Sequence, residues 1–147
     1  MIKSTVCYLV HDEKWLMLLR NKKQNDLNHG KWIGVGGKLK ENEAPYECMV
    51  REVIEETGYQ VQSALYCGII HFHYQHHEDE EIYVYQTSDY VGTLHECSEG
   101  TLAYIPKKDI LDLEIWEGDR IFLEKMFRNE VPFSIRLYYD ENEILIK

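Results

Sequence analysis

Glu52, Glu55 and Glu56 crowd into the stretch REVIEETG at residues 51–58. On one turn and a half of helix, like charges three and four residues apart repel by roughly 0.2–0.5 kcal/mol per pair. A bound divalent cation would offset that repulsion and keep the carboxylates ionised. Carboxylate oxygens are hard ligands, suited to Mg²⁺ and also to Mn²⁺. Ions held this way polarise phosphoryl oxygens, neutralise developing charge and activate water. Arg51 stands four residues after Glu47 and four before Glu55, so it could tether carboxylates on both sides and orient them. The glycine-rich turn Gly34 through Gly37 lets backbone come close to a metal or a phosphate, and its carbonyls are possible ligands.

These residues need elements to position them. STVCYLV (4–10) and WLMLLR (15–20) are apolar and rich in strand-favouring residues, and the turn at 11–14 makes them a hairpin. NKKQNDLNHG (21–30) reads as a loop, and KWIGVGGK (31–38) as a short strand running into a glycine turn. Tyr46, Met49, Val50, Val53 and Ile54 then recur at helical spacing and predict one apolar stripe over 45–57, with Pro45 in the first turn and Gly58 just past the end. On that helix the three glutamates lie largely away from the stripe, with the small Cys48 among them. Strands are expected at 60–74, 81–88 and 101–105, and a helix over 118–128 carrying Ile121, Phe122, Met126 and Phe127. A closing hairpin of 132–140 with 143–147 turns around Asp140-Glu141-Asn142. Hairpins outnumber crossovers, which favours an α+β fold, a mixed sheet with helices packed on it.

An E-x-x-E-E cluster taken alone describes a solvated helix face. The longer spacing is more specific. From Gly37, five residues lead to Glu43, seven more lead to Arg51, and the chain then reads Arg-Glu-Val-Ile-Glu-Glu-Thr-Gly-Tyr. This run resembles the signature of the Nudix hydrolases at every fixed position; Tyr59 stands where an aliphatic residue is usual, and is expected to pack in the core. The resemblance implies one α/β/α sandwich domain around a central mixed β-sheet, spanning 1–147. It implies that Glu52, Glu55 and Glu56, with the Gly36 carbonyl, bind Mg²⁺ or Mn²⁺, and that Arg51 orients the glutamates. Gly37, Lys38 and Glu43 would shape the loop or approach phosphates. A catalytic base often lies in a later loop of this family. Glu99, in CSEGTLAYIP, is the candidate, and Glu52 the alternative.

The flanks resemble the MutT-type enzymes within that family: KWIGVGGK before the signature, EGTLAYIP after it, IWEGD at 115–119 and the terminal PFSIRLYYD. The resemblance implies hydrolysis of a nucleoside triphosphate to monophosphate and pyrophosphate, with an oxidised purine such as 8-oxo-dGTP as substrate. Trp116 and Asp119 would line the base pocket, the indole by stacking and the carboxyl by hydrogen bonding, with Phe72 facing the base. Trp116 is equally readable as packing at a helix start. Ile33 occupies a position where eukaryotic relatives carry a base-binding asparagine, and Gly118 replaces the first of two neighbouring aspartates. Base recognition is therefore not copied intact. The rival readings are a Nudix hydrolase of ADP-ribose or a dinucleoside polyphosphate, and a non-catalytic nucleotide-sensing module, which would usually lose signature glutamates.

The remaining features set bounds. The formal net charge of −10 argues against binding duplex nucleic acid or an anionic membrane, and leaves a small phosphorylated ligand bridged by cations. The first apolar run is cut short by His11, Asp12 and Glu13, too short for a signal core or a membrane span, so the chain reads as cytoplasmic, as a monomer or homodimer. Cys7, Cys48, Cys67 and Cys97 are scattered without a C-x-x-C pair and read as reduced, buried thiols. His71, His73 and the neighbouring EDEE at 78–81 read as a polar hairpin rather than a metal site, because zinc spacing is lacking.

Overall fold

The computed structural model describes residues 1–22, 27–142 and 144–146. Part of the loop expected at 21–30 and two positions of the strand expected at 143–147 fall outside these. The first hairpin forms as expected. Strand β1 (Ile2–His11) pairs antiparallel with β2 (Lys14–Leu19), Val10 opposite Trp15. Asp12 and Glu13 both take left-handed backbone (φ 50° and 62°), the twist that a two-residue turn between right-twisted strands requires.

Beyond that turn β1 leaves β2 and becomes the centre of the sheet. It runs parallel to β6 (Glu80–Gly92) over residues 2–9 and antiparallel to β4 (Val35–Lys38) over residues 4–7. β2 pairs with β3 (Trp32–Ile33) and with β7 (Thr101–Pro106), while β5 (Tyr59–Tyr74) joins β6 to the parallel edge strand β8 (Phe133–Tyr139). The result is a mixed eight-stranded sheet among the described residues. Tyr139 and Leu145 bridge antiparallel, so the closing hairpin turns where expected.

Side chains alternate across each strand, so the sheet feeds two cores. Cys7 and Leu9 of β1, with Leu16 and Leu18 of β2, pack against Met49 and Val53 of helix α1 (Pro45–Thr57). Tyr8, Trp15 and Met17 face the other way, against Phe122, Leu123 and Met126 of helix α2 (Glu117–Phe127). This is the α/β/α sandwich. A short 3₁₀ segment, Lys107–Asp112, leads from β7 towards α2.

Helix α1 starts with Pro45 in its first turn, and Glu47 accepts the Ala44 amide at 2.9 Å, half of a capping box. It ends on Gly58 in the left-handed region (φ 89°), whose N–H donates to the Ile54 carbonyl. The apolar stripe is narrower than the spacing predicts. Met49 and Val53 are fully buried, but Tyr46 and Ile54 are exposed, as is Ile121 on α2. The buried face of α1 is rotated to take in Cys48, Glu56 and Thr57, because β4 approaches along that side.

A Cβ on Gly58 would lie 2.4 Å from the Thr93 carbonyl oxygen, on backbone that side chains rarely adopt. Gly58→Ala is expected to destabilise the fold by about 1–3 kcal/mol, read as a lower urea midpoint with unchanged slope.

Candidate active site

Helix α1 and strand β4 meet at a pair of glycines. A Cβ on Gly36 would overlap the Thr5 carbonyl oxygen, and one on Gly37 would lie 2.5 Å from the Glu52 carboxyl carbon. Only hydrogen fits at Gly36, against backbone, whereas a side chain at Gly37 would have to displace the Glu52 carboxylate. The close approach lets the Gly36 amide donate to Glu56 Oε2 at 2.9 Å. Glu56 is thus not on a solvated face: it is 7% exposed. Its Oε1 is buried without a hydrogen-bond partner. Burial first, then Glu99 and Glu52 beside it, push the Glu56 carboxyl well above the usual carboxylate range.

Arg51 organises the rim. Its Nε and Nη2 fork onto Glu43 at 2.7 and 2.9 Å, its Nη1 reaches Glu52 at 2.8 Å and Glu55 at 3.3 Å, and Nη2 also donates to the Lys38 carbonyl. The expected tether to Glu47 is not made, since that carboxylate caps the helix instead. Glu43 also accepts the Lys40 amide. Arg51 foremost, and then that amide, hold the Glu43 carboxyl down at about 2. Burial raises the Glu52 carboxyl, opposed by Arg51. Cys48 fills the space beneath, its thiol within reach of Thr5 and the Gly37 carbonyl.

The turn at residues 97–100 enters from another element. Lys22 Nζ donates to the Cys97 carbonyl at 2.8 Å and anchors it, and Arg20 Nη1 stands 3.8 Å from Glu99 Oε2. The turn brings Glu99 and Cys97 to Glu56, with one ligand atom from each within 4.8 Å of the others. A carboxylate oxygen buried with no donor, facing a second carboxylate, suits a divalent cation, which would satisfy the oxygen and reverse the repulsion.

A cleft of about 590 Å³ runs from this acidic end to an aromatic one. Gly36, Gly37, Lys38, Arg51, Glu52, Glu99, Phe72, Trp116 and Asp119 all line it. Buried Glu56 does not line it but is bonded to Gly36, which does, and Glu55, 53% exposed, does not line it either. Trp116 is a packed wall rather than an open stacking surface. It is 5% exposed, meets Tyr139 edge-on at 4.8 Å and Phe72 at 5.8 Å, and carries the Lys31 ammonium over one face. Its Nε1 donates to Asn28 Oδ1 at 2.8 Å. Asp119 is partly accessible, and its crowded carboxyl is pushed up to about 7 by burial, with Lys31 pulling the other way.

The departure at Gly118 has a steric reason. Its amide donates to the Tyr139 hydroxyl, and a Cβ there would lie 2.5 Å from a Leu137 methyl, so an aspartate has no room. Ile33 lines the cleft as an apolar wall. Tyr59 is half-buried against Tyr90, in hydrogen-bond reach of the Tyr104 hydroxyl. His71 and His73 pair with Glu81 and Asp79. Arg20, Asn28, Lys31 and Cys97 were not singled out as site residues from the sequence; Lys31 and Cys97 open the flanking stretches KWIGVGGK and CSEGTLAYIP, but only folding brings the four to the site. No helix among the described residues is long and apolar enough to cross a membrane.

The chain matches the family described as the NUDIX domain over residues 1–126. The match ends before β8, although Leu137 of that strand lines the cleft. An uncharacterized Nudix hydrolase, YvcI of Bacillus subtilis, is 26% identical over 87% of this chain and 80% of its own length. The oxidized purine nucleoside triphosphate hydrolase of Danio rerio is 25% identical over 77% of this chain and 73% of its own. In three dimensions the chain superposes on a MutT protein from Bacillus halodurans with a TM-score of 0.90, at 21% identity, covering 100% of this chain and 95% of that one.

The lowered Glu43 carboxyl has a definite pH consequence. Its fork with Arg51 contributes stability in full above about 4.5, the ordinary value, and that contribution drains away as pH falls through about 2. Carboxyl NMR should show Glu43 titrating near 2 in the native protein and moving back towards 4.5 in Arg51→Gln.

Proposed function

The chain belongs to the Nudix hydrolase family, and from that premise we propose that it hydrolyses a nucleoside triphosphate to the monophosphate and pyrophosphate, with an oxidised purine nucleotide such as 8-oxo-dGTP as the preferred substrate. One observation carries this reading: the acidic end and the aromatic end belong to a single cleft of about 590 Å³, in the size range of small-molecule sites. The relatives named as oxidized purine nucleoside triphosphate hydrolases support the choice of substrate.

Glu52, Glu55 and Glu56, with the Gly36 carbonyl, would hold divalent magnesium or manganese, and Glu99 lies at the same place. Such an ion, when bound, supplies charge neutralisation at the phosphoryl oxygens and a more acidic water. The protein's own groups do the rest. Lys38 and Arg20 line the cleft and offset phosphate charge. Arg51 keeps Glu52 in place through its 2.8 Å bond. Glu99 or Glu52 takes the proton of the water that attacks a phosphorus of the chain, the anhydride bond between the α and β phosphates breaks, and the bridging oxygen leaves with the electron pair. At the other end Phe72 and Trp116 wall the base. Asp119, protonated below about 7, can donate to an acceptor on the base edge as well as accept.

Two tests follow. Glu56→Gln should retain the fold by circular dichroism and lose about 10²–10⁴-fold in kcat in Mg²⁺; near-normal turnover would remove Glu56 from the centre. In a product-resolved assay, 8-oxo-dGTP should exceed dGTP, ADP-ribose and diadenosine polyphosphate in kcat/KM, and its KM should rise as pH passes about 7. Asp119→Asn should flatten that rise, and a preference for ADP-ribose would reject the substrate reading.

A further inference from the structure

We propose that Cys97 is a metal ligand, and that the Glu56–Cys97–Glu99 pocket is a binding position for thiophilic divalent ions such as zinc, cadmium and cobalt. The inference takes the acidic centre as a metal site, as in the function proposed above, but adds a soft ligand that the carboxylate signature does not contain.

Cys97 is 3% exposed, and its thiol shares a site with oxygens of Glu56 and Glu99, all within 4.8 Å of one another. A tetrahedral ion with one thiolate and two carboxylate ligands needs sulfur and oxygen about 3.6 Å apart, from metal–sulfur and metal–oxygen lengths near 2.3 and 2.1 Å. The three side chains therefore need only a small contraction. Independently of the cysteine, Glu56 is more than nine-tenths buried, and its Oε1 has no hydrogen-bond partner. Such an oxygen calls for a cation or a donor.

Burial foremost, with the Glu56 and Glu99 carboxylates beside it, holds the Cys97 thiol above its ordinary value against the backbone amides of Glu99 and Gly100, so the ion itself must displace the thiol proton. The turn is fastened by Lys22 on the Cys97 carbonyl and by an antiparallel bridge from Cys97 to Gly100. Glu99 reaches the cleft, so an ion can enter from that side. Oxygen ligands favour Mg²⁺, whereas a thiolate adds affinity for zinc, cadmium and cobalt over magnesium. On binding, the metal–sulfur bond forms and the thiol proton passes to solvent. An ion seated there uses two carboxylates that hydrolysis in Mg²⁺ needs, so zinc or cadmium should inhibit that hydrolysis.

The test is titration of the full chain with Cd²⁺ and, separately, Co²⁺, in the absence of nucleotide, followed by ultraviolet absorption. A thiolate-to-metal charge-transfer band that saturates at one equivalent is expected. Cys97→Ser should abolish it and weaken Cd²⁺ binding by about 100-fold or more, while Cys67→Ser, remote in the other core, should keep it. Cys97→Ala serves as a second variant, with circular dichroism checking the fold of each. Absence of the band in the native chain, or its persistence in folded Cys97→Ser, overturns the proposal. Hydrolysis in Mg²⁺ is read on separate samples, so failure of the proposed reaction leaves the absorption result standing by itself.

Discussion

The 2.9 Å hydrogen bond from the Gly36 amide to the Glu56 carboxylate holds helix α1 and strand β4 in a register from which the rest of the centre follows. It brings the backbone of β4 close to the helix at Gly37, where a Cβ would press on the Glu52 carboxylate, while glycine at 36 is required by the Thr5 backbone of β1. It also turns α1 so that Glu56 and Thr57 join Met49 and Val53 on the buried face, leaving Ile54 and Tyr46 in solvent. Exposing two large apolar side chains is unfavourable in a helix that could have rolled to bury them. The helix therefore sacrifices some hydrophobic burial to put a carboxylate where it is hardest to ionise. Local stability is compromised at a place where an ion would restore it.

Arg51 is the complementary device. A single guanidinium binds Glu43, Glu52 and Glu55, and reaches the Lys38 carbonyl, so the loop before α1 and the acidic face of α1 are held by one rigid fork. A lysine could supply the charge but not several directed bonds in one plane. The fork neutralises the rim while leaving buried Glu56 uncompensated. The two signature carboxylates thus have different environments: Glu43 sits well below the ordinary carboxylate range, and Glu56 well above it.

The other end of the cleft is built from elements distant in sequence. Trp116 is set by Asn28, Lys31, Phe72 and Tyr139, and Gly118 by Tyr139 and Leu137 of the edge strand. Edge strand β8 thereby shapes the pocket although it lies beyond the region that matches the family. The parallel pairing of β5 with β8 carries Phe72 opposite Leu137 and aligns the two walls. A pocket assembled this way can change its preferences without touching the acidic centre.

How much of this was legible in the chain follows from the range of each interaction. Helical and strand periodicity, the left-handed glycine at the end of α1 and the spacing from Gly37 to Glu56 are local properties, so the sequence alone determined a mixed sheet with packed helices and the acidic helix, and its likeness to the Nudix signature implied the sandwich and the candidate ligating groups. The first hairpin was equally local, set by a turn of two residues. The roll of α1 was not legible, because the approach of β4 decided it against the apolar period. Nor was the capture of Glu47 by the Ala44 amide in place of Arg51, since Glu43 competes for the same guanidinium from a loop. Only the tertiary structure brought Cys97 and Glu99 to Glu56, closed Trp116 into a packed wall and removed the space for a side chain at Gly118. Each of these depends on strands pairing across long separations, and a contact of that kind leaves no periodic trace in the residues that make it.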